Sequence, residues 1–97
     1  MKVHWTDTAE THLDDIYTYI ARDSKVYALR TVDRITKRSK QISTFPQSGR
    51  KVTEYNSERV REVFSGSYRI IYYIKSDQID IIAVLHEAMN AFHDEQE

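Results

Sequence analysis

The sequence has no cysteine and very few of the residues that interrupt regular structure, with two glycines and one proline in 97 residues. Without cysteine there is no disulfide framework, no thiolate nucleophile and no zinc site built on sulfur. The scarcity of glycine and proline excludes a linker, a collagen-like chain and a low-complexity segment. No apolar run approaches the roughly 20 residues of a membrane-spanning helix. The N-terminus lacks the apolar core of a signal peptide, so we expect a protein of the cytoplasm without membrane contact.

The charge is unevenly distributed along a chain whose net charge is only −1. Residues 22–75 hold thirteen Lys or Arg against five acidic residues, whereas residues 76–97 hold six acidic residues and no Lys or Arg. A basic middle attracts an acidic partner locally. The near-neutral total argues against a general nucleic-acid binder, which is usually basic overall. The length and the 40% hydrophobic content predict one small domain with a modest core.

Hydrophobic periodicity predicts one strand and two helices in the first half of the chain. Val3 and Trp5 alternate with polar residues, which is typical of a short strand. A first helix follows the capping residues Thr6 and Asp7, and a second follows Asp23 or Ser24. Pro46 ends the second helix. The apolar stripes at helical spacing are Ala9, Leu13, Ile16, Tyr17 and Ile20 in the first helix, and Ala28, Leu29, Val32, Ile35, Ile42 and Phe45 in the second.

The second half predicts strands separated by turns. The run Tyr68–Ile74 is rich in aromatic and β-branched residues and is the strongest strand signal. Further strands are predicted at Lys51–Tyr55, Val60–Phe64 and Ile79–Leu85. The predicted class is α+β in the order β-α-α-β-β-β, with a helical hairpin packed on a small, mainly antiparallel sheet and the first strand at an edge. Residues 1–86 form the domain, and residues 87–97 are expected to be an acidic tail.

Chemistry-bearing residues are few. No Ser-His-Asp pattern and no phosphate loop are present, and the four histidines lack metal-motif spacing. We therefore expect no metal and no cofactor. If Ser65–Ser67 is a three-residue turn, Arg69 lies opposite Val63 and Val84 and shares one sheet face with Arg61 and His86.

That cluster of Arg61, Arg69 and His86 has three interpretations. Two guanidiniums beside an imidazole could hold a phosphate and transfer a proton. They could also bind the carboxylates of a protein partner. The third interpretation is structural, with Arg69 paired to Glu62 or Glu54.

Several segments together resemble the RelE/ParE superfamily of toxins from bacterial type II toxin–antitoxin pairs. The resemblance covers about residues 3–86 and implies a compact β-α-α-β-β-β domain. The segments that carry it are Val3-His4-Trp5-Thr6, Leu13-x-x-Ile16-x-x-Tyr19-Ile20-Ala21, Phe45-Pro46-x-x-Gly49-Arg50, Val60-Arg61-Glu62, Ser67-Tyr68-Arg69-Ile70-Ile71-Tyr72 and Val84-Leu85-His86.

The resemblance implies one of two activities. ParE-like members inhibit DNA gyrase, stall it on cleaved DNA and carry out no chemistry of their own. RelE-like members are ribosome-dependent endoribonucleases that cut mRNA. The loop Phe45–Arg50, the pair Arg61-Glu62 and the near-neutral charge favour the ParE-like branch.

Under the RelE-like alternative, the resemblance assigns catalytic roles to four residues. Glu54 would activate the ribose 2′-hydroxyl, Arg61 and Arg69 would stabilise the developing phosphate charge, and His86 would protonate the leaving oxygen. A third alternative is an inactive relative that only binds its antitoxin. One departure from many ParE-like chains is the segment after His86, which continues Glu87-Ala88-Met89-Asn90 without an Arg.

The resemblance also implies a protein partner. Members are neutralised by a cognate antitoxin whose disordered segment folds along the toxin surface, giving a hetero-oligomer. We expect this antitoxin to lie over the helical hairpin and the sheet face. Its acidic residues are expected to contact some of Arg30, Arg34, Arg61 and Arg69.

Overall fold

The structure is a computed structural model that describes residues 1–88, so all but the first two residues of the expected acidic tail lie outside the described residues. Two helices pack on a five-stranded mixed sheet, which confirms the predicted α+β class. The strands are β1 (Lys2–Trp5), β2 (Arg50–Lys51), β3 (Val60–Ser65), β4 (Tyr68–Ile74) and β5 (Gln78–His86). The helices are α1 (Asp7–Ala21) and α2 (Lys25–Ile42), and a 3₁₀ turn covers Pro46–Ser48. No helix within residues 1–88 is both long and apolar enough to span a membrane.

The sheet has the strand order β1-β5-β4-β3-β2. Strand β1 lies at the edge, as expected, and runs parallel to β5, whereas the other neighbours are antiparallel. Strand β4 is the central strand of the sheet, and its apolar residues are therefore buried on both faces. Ile70 and Tyr72 face the helices and Ile71 faces the other side.

Side-chain caps define where both helices begin. The Thr6 hydroxyl accepts the Ala9 N–H at 3.2 Å and donates to the Ile81 carbonyl at 2.8 Å, so the cap of α1 is also bonded to β5. The Ser24 hydroxyl accepts the Tyr27 N–H at 3.1 Å. Of the paired alternatives, Thr6 and Ser24 are therefore the caps.

The apolar stripe predicted for α2 is partly wrong. Leu29 and Phe45 are 60% and 67% exposed, and the buried line of the helix is Ala28, Thr31, Ile35, Ser39 and Ile42. These five positions recur at intervals of three and four residues, so they lie on one face. The two buried hydroxyls donate to the backbone carbonyls of Tyr27 and Thr36, which satisfies them inside the helix.

The strand predicted at Lys51–Tyr55 is also shorter than expected. Only Arg50 and Lys51 pair with β3, after which the chain turns and the Tyr55 N–H donates to the Val52 carbonyl at 3.1 Å. Val52 is buried with Val60 and Ile71 on the sheet face away from the helices. This turn places the β2–β3 loop, residues 52–59, against that face.

The segment Pro46–Gly49 is held against the buried Tyr72. The Tyr72 hydroxyl donates to the Pro46 carbonyl at 2.6 Å and accepts the Gly49 N–H at 3.1 Å. A Cβ at position 49 would clash with that hydroxyl and lie 2.7 Å from the Glu62 carbonyl oxygen. Position 49 therefore accommodates only glycine without a shift of its neighbours.

Candidate functional site

The structure places Arg69 one register position away from the expected one. The β3–β4 turn has two residues rather than three, because Ser65 pairs with Tyr68, and Gly66 adopts a positive φ of 57°. Arg69 consequently lies opposite Phe64, not Val63. A register shift in the β4–β5 ladder between Ile71 and Tyr72 likewise pairs Arg69 with Leu85 instead of Val84.

This shift separates the three residues that were expected on one face. Side chains alternate along a strand, so a one-residue slip moves a side chain to the other side of the sheet. Arg69 lies with Ile71 on the face away from the helices. Arg61 and His86 are paired with Tyr72 and Tyr68, on the face that carries the helices.

Arg69 is the centre of a buried ion cluster, which we call the Arg69 clamp and which comprises Arg69, Glu54, Glu62 and Arg50. Both terminal nitrogens of Arg69 donate to Glu54 at 3.0 Å, and its Nε donates to Glu62 at 2.7 Å. The side chains of Arg69, Glu54 and Glu62 are only 8%, 12% and 4% exposed. Arg50 bonds the other Glu62 oxygen from the solvent side at 2.7 Å. Of the three interpretations, the structural one therefore describes the contacts of Arg69 within this chain, because Arg69 pairs with both Glu54 and Glu62.

The electrostatics of the clamp keep its cation charged. The hydrogen bonds that Arg69 donates to Glu54, together with the one it donates to Glu62, raise the pKa of Arg69 above its ordinary value although burial acts in the opposite direction. The bidentate geometry directs both Glu54 oxygens toward the guanidinium. The clamp thus holds the β2–β3 loop on the sheet.

Arg61 and His86 lie on the sheet face opposite Arg69 and are far from each other. Arg61 donates to the backbone carbonyls of Glu58 at 3.0 Å and Gly49 at 3.2 Å. His86 is exposed at the end of β5, and its ring meets Tyr68 edge-on at 5.8 Å. The β4 partners of Arg61 and His86 are Tyr72 and Tyr68, four residues and thus about 13 Å apart along the strand. The four expected catalytic residues therefore do not converge on one point.

Arg30 and Arg34 lie exposed on α2, and neither forms an ion pair with any residue in the described part of the chain. They are accompanied by large apolar side chains that are 55% to 70% exposed. We call this set the hairpin surface: Tyr19, Val26, Tyr27, Leu29, Arg30 and Arg34. The sequence analysis found its arginines but missed its apolar members. The available signal was helical spacing, which puts Val26 on the side of α2 opposite the buried line and Leu29 well away from that line.

Two clefts adjoin the hairpin surface. One of about 370 Å³ lies between α1 and the ends of β4 and β5, with Tyr19 at its rim. The other, of about 250 Å³, is lined by Tyr27 and Arg34. The two clefts share Tyr68 and His86, so they lie next to each other beside the hairpin. Within residues 1–88, no group of three His, Asp or Glu side chains is placed to hold a metal ion.

The amino-acid sequence matches the family model described as ParE toxin of type II toxin-antitoxin system, parDE, over residues 3–91. The chain belongs to this ParE toxin family. The expectation of a RelE/ParE superfamily toxin of the ParE-like branch is thereby confirmed. No curated protein matches the sequence.

Solved structures share the ParE-like fold at low sequence identity. The chromosomal ParDE system from P. aeruginosa superposes with a TM-score of 0.74 at 22% identity, covering 89% of this chain and 95% of that chain. The toxin–antitoxin complex RelBE2 from Mycobacterium tuberculosis gives 0.62 at 19% identity, over 88% and 95% of the two chains. The YoeB/ParE toxin from Agrobacterium tumefaciens gives 0.61 at 17% identity, over 89% and 98%. At these identities the match concerns the fold.

Proposed function

We propose that this ParE-type toxin inhibits DNA gyrase by binding it, without catalysing a reaction of its own. The observation that carries the proposal is the separation of the Arg69 clamp from His86. RNA cleavage needs a base near the 2′-hydroxyl and an acid near the leaving oxygen, both within hydrogen-bond reach of one phosphodiester. In this chain Glu54 and His86 belong to opposite faces of the sheet.

The state of Glu54 and Arg69 supports the same conclusion. A general base needs a carboxylate oxygen aimed at its substrate, but both Glu54 oxygens accept hydrogen bonds from Arg69. A phosphate-binding arginine needs an accessible guanidinium, whereas Arg69 is 8% exposed and already bonded to two carboxylates. Cleaving RNA here would require breaking this cluster, which is costly for buried charges.

A supercoiling assay with purified gyrase tests the proposal. We expect the folded protein to inhibit supercoiling and to accumulate cleaved DNA, and we expect the cognate antitoxin to relieve both effects. His86→Gln changes an exposed side chain and should leave inhibition within about twofold of wild type, because proton transfer is not involved.

Three results would contradict the proposal. Failure to inhibit gyrase at large molar excess, combined with mRNA cleavage in a translating extract that His86→Gln abolishes, would assign a RelE-like nuclease. Loss of gyrase inhibition in His86→Gln, with its fold retained, would refute the non-catalytic mechanism. Inactivity in both assays with tight antitoxin binding would assign an inactive relative.

We also propose that the antitoxin binds over the hairpin surface and forms a hetero-oligomer with the toxin. Large apolar side chains that are more than half exposed are concentrated on the hairpin, as is typical of a protein interface, and Arg30 and Arg34 are available to acidic residues of the partner. The other two arginines expected to contact the antitoxin are bonded within this chain, Arg69 to carboxylates and Arg61 to backbone carbonyls. We therefore assign the electrostatic contacts to Arg30 and Arg34.

Charge reversal at Arg34 tests this surface against a control on the same helix. Arg34→Glu should weaken antitoxin binding about tenfold, or about 1.4 kcal/mol, because it opposes the partner's acidic residues. Tyr27→Ala should weaken it more, since buried aromatic anchors dominate interface energies. Lys40→Glu makes the same charge change in the last turn of α2, outside the hairpin surface, and should alter affinity less than threefold. Equal effects of Arg34→Glu and Lys40→Glu would contradict the assignment.

A further inference from the structure

Strand β5 extends beyond the strand that covers its outer edge. β1 pairs with β5 only as far as Trp5 opposite Ile81. There the Thr6 backbone N–H and hydroxyl both donate to the Ile81 carbonyl, at 3.1 and 2.8 Å. From Ile82 to His86, no strand within residues 1–88 pairs with this edge. An uncovered edge leaves backbone N–H groups without partners.

A histidine of α1 occupies this gap. The Val84 N–H donates to His12 Nδ1 at 3.2 Å, a bond between residues 72 positions apart. His12 is half-buried and stands next to Leu13 in the helix, one turn before Ile16. Helix α1 is therefore bonded to β5 at two points, through Thr6 at its start and through His12 one and a half turns later.

The His12–Val84 bond crosses the base of the larger cleft beside the hairpin surface. His12, Ile16 and Tyr19 form its α1 wall, and Tyr68, Val84 and His86 form its sheet wall. The polar groups at this cleft are the Asp15 carboxylate from α1 and the imidazoles of His12 and His86. The remaining walls are apolar and aromatic, which suits a large apolar side chain of a partner.

We infer that His12 is a positioning residue for antitoxin binding. Its bond to Val84 fixes α1 against β5 and holds the cleft in the shape that receives an apolar anchor of the antitoxin. This inference rests on the proposed antitoxin contact with the hairpin surface. A leucine would fill the same space but would leave the Val84 N–H without an acceptor, so α1 would be free to shift.

Replacement of His12 by Asn and by Leu separates the hydrogen bond from the packing. The Asn carbonyl oxygen occupies nearly the position of the imidazole Nδ1 and accepts a hydrogen bond, whereas Leu cannot. We expect His12→Leu to speed Val84 amide exchange at least tenfold and to weaken antitoxin binding about tenfold. His12→Asn should stay within threefold of wild type in both measurements. His4→Leu, on exposed β1, is the matched control and should change neither.

The outcomes are distinguishable from a failure of the proposed antitoxin surface. If Arg34→Glu weakens binding but folded His12→Leu binds like wild type, the inference is overturned and the surface stands. If neither variant weakens binding, both are wrong. If His12→Asn loses as much affinity as His12→Leu, the acceptor argument is refuted. If His12→Leu does not fold, His12→Gln replaces it, because the Gln carbonyl oxygen lies one bond too far out to accept the Val84 N–H. We expect His12→Gln to show the same faster Val84 exchange and the same loss of antitoxin affinity. Wild-type exchange and affinity in His12→Gln would overturn the inference.

Discussion

Replacing Arg69 with Met should destabilise this toxin more than most single substitutions. The change removes the cation from a cluster whose carboxylates, Glu54 and Glu62, are 12% and 4% exposed. Removing one partner of a buried ion pair costs about 3–5 kcal/mol, because the remaining charge is left uncompensated in a poorly solvated site. Arg50 still reaches Glu62 from the solvent side, so we expect the lower end, about 3 kcal/mol. A chain of this length has about 5–15 kcal/mol of total stability, so this loss is a large share.

The measurement is urea unfolding at pH 7 followed by circular dichroism, together with a thermal melt. A loss of about 3 kcal/mol should lower the Tm by roughly 12 °C or more in a domain of this size. A triple variant with Met at positions 54, 62 and 69 removes all the buried charges and should recover much of the loss. A change below about 1 kcal/mol for Arg69→Met, with an unchanged m-value, would refute the reasoning by showing that the carboxylates are well solvated.

Three further predictions concern individual positions. Gly49→Ala should lower the free energy of unfolding in urea by at least about 2 kcal/mol, because the added Cβ would overlap Tyr72 and the β3 backbone. Gly66 has open space around it, so Gly66→Ala should lower that free energy by only about 1 kcal/mol, through its positive φ. Equal losses in the two variants would contradict this account. Burial raises the pKa of Tyr72 above its ordinary value of 10.0. The stabilisation of the fold by the protonated Tyr72 side chain is therefore complete below about pH 10 and is lost as the pH rises further. Tyr72→Phe should flatten the alkaline decline of the urea midpoint between pH 8 and 11, leaving the part that comes from Tyr68, whose pKa is also raised by burial. An unchanged dependence of the midpoint on pH would refute this account. Leu29→Ser should change the unfolding free energy by less than about 0.5 kcal/mol because Leu29 is 60% exposed, and a loss above about 2 kcal/mol would place it in the core.

The sequence alone was sufficient for the elements and their order. Helix and strand periods are local properties, so the helix starts near Thr6 and Ser24, the stop at Pro46 and the β-rich run Tyr68–Ile74 can be recognised without knowledge of distant contacts. The segments that resemble the RelE/ParE superfamily run through the same elements, and the family match over residues 3–91 agrees with them.

The position of each side chain around the helices was predicted less well. Leu29 directly follows the buried Ala28, so it lies about 100° further around the helix and is exposed. Thr31 and Ser39 are buried, and their hydroxyls are satisfied by the helix backbone. Which of these positions faces the core depends on how the helix is rotated against the sheet. For α2 that rotation is set by contacts with β1, β3 and β4, which are distant in sequence.

Only the tertiary structure decided the candidate site. The residue types at Glu54, Arg69 and His86 are visible in the sequence, but the two-residue turn at Gly66 and the register shift in the β4–β5 ladder place Arg69 on the other face from His86. The bond between His12 and Val84 joins residues 72 positions apart and leaves no sequence signal. Local periodicity therefore determined the helices and strands, whereas turn length and strand register, which depend on packing across the whole sheet, decided which side chains meet.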